Sequence, residues 1–407
     1  MATVRNFFLI LFLLLFPINA FAALAVGYTT ATDTMLITGG TSGTPVTWAD
    51  VWDYDTGGGG ETGGTGQTDG PNSVDLNTIM TEVIEDGVYL INCLVFIGES
   101  GTTTYLASEH EMIWFTDTHW FFVKPDATFR LGEESGDYGI NGSRVSLDAE
   151  LSRNVVDGGT LLMYDSRLNQ RRGSINNQFN TGNVTLIQSI LGGRSTSAAY
   201  YFNAGLSSVI IRNLYTSNIF PVFFLSADTL DGYHGHKGDA GLYARASITA
   251  KNANITNDGS GGGVRTHSGS TNAVFIDPVA LLSKTIFSAG DFIREQYTTN
   301  IHVTDNAGDN VATATVTCND TDGTLIFDVN TDANGDIAEQ TVEYKNWTTT
   351  AETETDYSPH TFVISKAGYR TQTIIYNFSD GKVNWEVELD DGDTVIYDST
   401  IYDSTLY

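Results

Sequence analysis

Five residues able to do acid–base or metal chemistry, Asp228, Asp231, His234, His236 and Asp239, fall within twelve positions of one Gly-rich stretch, DTLDGYHGHKGDAG. Carboxylates beside imidazoles suit glycoside hydrolysis, where one carboxyl stays protonated as the acid and another acts as base. Asp228, Asp231 and Asp239 could equally ligate a divalent cation such as Ca2+, which takes hard oxygen ligands. A solvated polar loop with Gly turns has the same composition, and nothing else in the sequence requires a cofactor. A second oxygen-rich string, NTDANGD from Asn330 to Asp336, lacks the closing Glu of a calcium loop because Thr341 stands there, and it reads as a hairpin turn. Glu109, His110 and Glu111 form a third, shorter polar string.

The elements that must carry these residues announce themselves by repetition. VTLIQSIL from Val184 and VIIRNLYT from Val209 start 25 residues apart and share apolar first and third positions and an amide at the fifth. A period of that size marks stacked rungs. The spacing predicts rungs starting at Val88, Ile113, Tyr138, Leu161, Val184 and Val209. Their fifth positions, including Asn92, Asp165, Gln188 and Asn213, predict a corner column of polar side chains, followed by small residues such as Ser166 and Ser189. Further rungs are expected at Ile248 and Val274, and the step of 39 residues from Val209 to Ile248 predicts an insertion of about 14 residues centred on Asp228 to Gly241. Insertions in repeat proteins form loops on one face, often the binding face.

Before the first rung, Leu76, Ile79, Met80, Val83 and Ile84 recur at helical spacing up to Gly87. They predict a helix that caps the open end of the stack. After Tyr297 the pattern becomes alternating, as in Ala312–Ala314–Val316–Cys318 and Trp385–Val387–Leu389, with about seven short strands expected before a tail that repeats every five residues, IYDSTIYDSTLY. An odd period flips strand faces at each unit, so one unit at most can serve as an ordinary amphipathic strand. The tail is expected either to be a polar terminus or to add as a strand to a neighbouring copy, a route to self-assembly.

The stacked VTLIQ, VIIRN and SITAKN segments with their Asn/Gln corner resemble the right-handed parallel β-helix superfamily, the pectate-lyase-like solenoids. That superfamily includes polysaccharide lyases and hydrolases, phage tailspikes and adhesins. DG followed by GHKGD is similar to the NTDG and GHG motifs of polygalacturonase-like hydrolases, whose remaining Asp pair and Arg-x-Lys element do not follow in order here. HVTDNAGDNVATATV, TDANGDI and SPHTFVISKAGY resemble carboxypeptidase-regulatory-like or transthyretin-like domains, which implies a spacing or adhesive role. The expected fold is therefore all-β: a right-handed parallel β-helix with an N-terminal capping helix, plus a C-terminal β-sandwich. The expected divisions are a signal peptide at 1–22, a Thr/Gly-rich segment and linker at 23–72, the capped β-helix at 73–297, the sandwich at 298–390 and the tail at 391–407.

Arg5, the apolar run from Phe7 to Phe16 and Ala20-Phe21-Ala22 form a secretory-signal pattern, so an exported protein, secreted or at a cell surface, is expected with no stable membrane span after cleavage. Asp plus Glu number 49 against 20 Lys plus Arg, a net charge of −29, which argues against nucleic acid as a partner. The two cysteines, Cys93 and Cys318, lie on strand-like patterns far apart and are expected as buried free thiols. Together these features predict an exported structural or adhesive protein of a surface, extracellular assembly or virion appendage, with a cell-surface glycan or polysaccharide as the expected partner. The alternative is a secreted polysaccharide lyase or glycoside hydrolase acting through Asp228 to Asp239.

Overall fold

The computed structural model describes residues 24–29, 32–52, 80–84, 87–99, 101–108, 111–116, 119–132, 144–147, 153–170, 176–193, 199–217, 222–224, 229–236, 241–256, 263–266, 271–281, 284–286, 289–348 and 353–391. The chain is all-β, built on mostly parallel strands in an arrangement compatible with a solenoid, and it divides into two compact units, residues 1–226 and 227–407.

In the first unit one column of parallel strands carries Leu106, Phe129, Leu161, Val184 and Val209 in register, each directly above the next and each fully buried. The repeat read from Val184 and Val209 is thus a true rung spacing. The earlier starts at Val88 and Ile113 need correction: Val88 lies opposite Met112, and Ile113 continues through Val145, Leu168 and Leu191 in a different column. Tyr138 lies outside the described residues. An alternating strand looks the same on every face of a coil, and one turn later each face repeats at the same spacing, so periodicity alone does not say which column a strand joins.

The corner column is a matter of backbone. Asp165, Gln188 and Asn213 sit at φ 45°, 50° and 51°, the left-handed region that Asn and Asp tolerate better than other side-chain-bearing residues. The amide N–H of Asp165 donates to Ile187 O at 3.0 Å, and that of Gln188 to Arg212 O at 2.8 Å. Ser166 and Ser189 follow inside the turn, each donating its hydroxyl back two residues, to Tyr164 O at 2.7 Å and Ile187 O at 2.9 Å. Elsewhere the rungs approach so closely that a Cβ at Gly182, which has φ +100°, would lie 2.0 Å from Gly159 O.

The expected capping helix is corrected over its second half. Met80–Ile84 is a strand, antiparallel to Val88–Ile91 with Met80 opposite Ile91, while residues 73–79 lie outside the described residues. An isolated helix of two to three turns is marginal in water, whereas pairing to a bare strand edge satisfies a whole row of backbone groups. Covering apolar surface falls instead to a part of the expected linker segment. Thr34–Thr38 pairs in parallel with Leu94–Ile97 and antiparallel with Ala25–Thr29. Val46–Thr47 aligns with Leu106–Ala107, and the following helix, Trp48–Trp52, buries Trp48 edge-on against Phe115 and Phe129. Thr47 caps that helix, its Oγ1 accepting from Asp50 N at 3.1 Å while Asp50 Oδ2 accepts from Thr47 N at 2.8 Å.

In the second unit Leu230 aligns with Ala250, Ile248 with Ala273 and Ala273 with Ile293, all parallel. Past the corner, His234 aligns with Asn254 and then Ala280, and Leu242 with Val264 and then Lys284. The expected insertion is therefore a regular rung. Two features hide it: Gly232, at φ +68°, takes the corner place held by Asn252 and Asp277 at φ 51° and 50°, and the step from Leu230 to Ala250 is about 20 residues, shorter than the period of the rungs before it.

The strand Phe292–Asp305 then serves two sets of neighbours. Its first part lies parallel to Asn272–Ile276 and antiparallel to Gln340–Thr348, and its second part lies parallel to Val383–Leu389. The expected boundary between 297 and 298 falls inside this strand. An antiparallel sheet of Leu325–Asn330, Thr315–Asn319, His360–Ser365 and Gln372–Tyr376 contributes to the same core. Val316, Cys318, Phe327, Phe362 and Ile364 from that sheet join Ile301, Val303, Val342 and Val387 in one buried cluster, with Phe378 among them.

Candidate functional site

The Asp228–Asp239 string is not assembled into a site by the residues described. Asp231 stands opposite Lys251 just before the corner, and its Oδ1 accepts a hydrogen bond from Asn252 Nδ2 at 2.7 Å. His234 lies beyond the corner at Gly232, in the next column, opposite Asn254. His236 ends the strand Thr229–His236, and its side chain lies outside the described residues, as do Asp228 and Asp239. Among the described residues no three His, Cys, Asp or Glu side chains are grouped so as to hold a metal ion, and of the three candidate carboxylates Asp228, Asp231 and Asp239 only Asp231 is among those residues. In the NTDANGD turn, Asp332 Oδ1 accepts from Asn334 N at 2.8 Å and from Asp336 N at 3.0 Å, and Gly335 takes φ +81°. Those amide donors hold the Asp332 carboxyl below its usual range. This is a self-capped hairpin turn, with its carboxylate turned onto its own backbone.

A different group of side chains does converge, on the first unit. Strands Thr34–Thr38, Leu94–Ile97 and Phe121–Val123 lie side by side. Their alternate residues Met35, Ile37, Val95, Ile97, Phe121 and Val123 are fully buried. Strict alternation sends the residues between them to the outer face. There stand Leu36, Phe96 and Phe122, directly in register. A polar row is the ordinary choice for such a face; here it is apolar and half-buried. The Phe96 and Phe122 rings meet edge-on at 5.0 Å, and Trp120 lies 5.5 Å from Phe122 on the same face. Lys124 Nζ sits 5.1 Å from both ring centroids and 3.1 Å from Asp157 Oδ2. At a partly exposed position each such contact contributes of order 0.5–1 kcal/mol, enough to hold the ammonium over the rings and too little to make it a core element.

Of these residues Leu36, Phe96, Lys124 and Asp157 line a groove of about 520 Å³, together with Glu99 and Thr181. The volume lies in the usual range for small-molecule sites, roughly 300–1,000 Å³. Leu36 and the Phe96 ring offer the groove apolar surface, and Lys124, Glu99, Asp157 and Thr181 offer an ammonium, two carboxylates and a hydroxyl. Gly158, φ +94°, also lines it, packed so closely on Pro125 that a Cβ there would lie 2.7 Å from Pro125 Cγ. The sequence does carry a trace of this face: LVFI and FFV are apolar at both alternations, which a strand with one solvated face does not need.

The second unit has a groove of about 450 Å³ bordered by Asn300, His302, Asp336, Asn384 and Glu386. Its polar groups engage one another, His302 Nδ1 with Asp336 Oδ1 at 2.8 Å and Asn300 Nδ2 donating to Asn384 Oδ1 at 3.2 Å. Nearby in sequence, Lys284 is mostly buried, with Nζ 3.9 Å from the Trp347 ring centroid and 3.8 Å from Glu295 Oε2. Burial pushes its pKa down, while Glu295 and Glu354 oppose that shift. It joins the strand Lys284–Ile286 to the sheet behind and reads as packing. Cys93 and Cys318 are buried free thiols, as expected, and burial pushes both up to about 12. Comparison of the chain with protein-family models, with curated proteins and with solved structures finds no match to any of them.

Proposed function

We propose that this chain is an exported structural or adhesive protein, a right-handed parallel β-helix stalk followed by a transthyretin-like β-sandwich, that grips a glycan in the Phe96–Lys124 groove. The observation that carries the reading is the in-register outer row Leu36, Phe96 and Phe122 beside the Lys124–Asp157 pair. Pyranose rings present one apolar C–H face and an edge of hydroxyls. Aromatic faces take the first, and charged hydrogen-bonding groups fix the second. The regular rungs support a stalk, because each rung buries its inner face on the next and stiffens the whole. Glu99 and Asp157 against the single Lys124 favour a neutral glycan over an acidic one, as does the net charge of −29.

One observation keeps the catalytic alternative in view beside Asp228 to Asp239: Glu99 and Asp157 share this groove, and a hydrolase acting here would use them as acid and base. The test is to offer the mature chain a panel of neutral and acidic polysaccharides and follow both retention and release of reducing ends. Retention of neutral members without turnover, lost in Phe96→Ala, is the expected result. Turnover abolished by Asp157→Asn establishes the enzyme; retention of neither class removes the glycan reading.

A further inference from the structure

We propose that the outer edge of the strand Gln372–Tyr376 receives the C-terminal segment of a second copy of this chain as an added β-strand. Among the described residues this strand pairs only with His360–Ser365, so its other side presents a row of backbone donors and acceptors. Such a row is a template for another strand. Ile375, on this edge, is 69% exposed, the most exposed of the large apolar side chains on the described strands. The edge carries no charged residue, Pro or bulge of the kind that discourages pairing: it reads QTIIY.

The occupant follows from what leaves the described chain and where. Arg370 N donates to Asp390 O at 2.8 Å, and Arg370 Nη1 lies 3.5 Å from Asp390 Oδ2. The chain therefore exits beside the beginning of this edge, with residues 392–407 still to come. Those residues include IYDST twice, from Ile396 and from Ile401. Each unit is five residues long, the length of the edge, and each brings a β-branched Ile and a Tyr, residues suited to strands. The five-residue period, which forbids both units from facing one core in one strand, is no obstacle to a single unit docking on a five-residue edge.

The second copy is favoured over the same chain by direction. A tail turning back onto its own edge starts at Gln372 and must run parallel to it. In a two-fold pair with edges facing, the exit of one copy lies beside Tyr376 of the other, and its tail runs antiparallel, the more stable pairing. Both tails then dock reciprocally.

The experiment compares the full chain, a variant ending at Asp393 and the variant Ile375→Lys by light scattering after gel filtration, and titrates a labelled peptide TVIYDSTIYDSTLY into each. The expected result is a dimer for the full chain, a monomer for the truncation, peptide binding by the truncation, and binding about tenfold weaker with Ile375→Lys, equivalent to losing one apolar contact and placing a charge on the edge. Far-UV circular dichroism of Ile375→Lys confirms that it folds, as an exposed site should. Equal masses for full chain and truncation, with no peptide binding, overturn the proposal. A monomeric full chain whose truncation binds peptide also overturns it, in favour of a tail that covers its own edge.

Discussion

Replacing Asn213 by Val and, separately, by Gly isolates what the corner column contributes. Asn213 is exposed and holds φ 51°, so its substitution perturbs backbone conformation with little loss of packing. A β-branched residue in the left-handed region is strained, at a cost of about 1–2 kcal/mol relative to right-handed backbone, of which Asn already suffers part. Gly removes that strain but gains freedom in the unfolded chain worth about 0.5–1 kcal/mol, so its net effect is near zero. Rung stacking then adds to the Val penalty, because the strands on either side of the corner pair above and below: Ile211 lies beneath Leu186, and Tyr215 N donates to Ser189 O at 2.9 Å. A gap of about 2 kcal/mol between Asn213→Val and Asn213→Gly is expected, a factor of about 30 in the folding equilibrium. Urea titration followed by far-UV circular dichroism should place the Val midpoint roughly 1 M below the Gly midpoint. Coincident midpoints would refute the claim that Asn213, like Asp165 and Gln188, is selected for left-handed backbone.

Two further expectations concern titration and access. His360 is fully buried, edge-on to Phe378 at 5.0 Å, and burial lowers its pKa below 6.5, with Asp320 opposing. For a base whose folded pKa is depressed, the unfolded state takes up the proton first. The contribution is therefore intact above about pH 6.5 and declines as pH falls below it, by at most about 1.4 kcal/mol per pH unit. Stability measured from pH 7 to 5 should fall less steeply in His360→Gln, and an unchanged slope would contradict the assignment. Cys93 and Cys318 should resist a thiol reagent at pH 8 in the folded chain and both react once it is denatured, since burial excludes the reagent and holds each thiol protonated. Prompt labelling of either would contradict its placement in a core.

The rungs were legible where the sequence spells out backbone chemistry. Asp165, Gln188 and Asn213 advertise a turn because few residues bearing a side chain accept φ near +50°, and Ser166 and Ser189 mark it because each hydroxyl bonds back to the carbonyl two residues before it. The rung of Leu230 was hidden because Gly232 fills the same backbone place without an amide and Tyr233, large and buried, fills the small one. The columns of Val88 and Ile113 were hidden because every face of a coil repeats with one period. Met80–Ile84 fits both helical and strand patterns, as an amphipathic five-residue segment does, and an available edge decides between them. The groove was the least legible feature. Phe96 and Lys124 are 28 residues apart and Asp157 lies 33 beyond Lys124, so only the stacking of three rungs brings them within contact.

The central claim is that Phe96 and Lys124, not the Asp228–Asp239 string, face a neutral glycan. The most direct measurement is the dissociation constant for each neutral polysaccharide the chain retains, followed through the fluorescence of Trp120 beside Phe122, in the wild type, Phe96→Ala and Asp231→Ala. Binding at least about tenfold weaker is expected in Phe96→Ala, from the loss of one aromatic platform, and unchanged binding in Asp231→Ala. Equal affinity in Phe96→Ala, or binding abolished by Asp231→Ala, would contradict it.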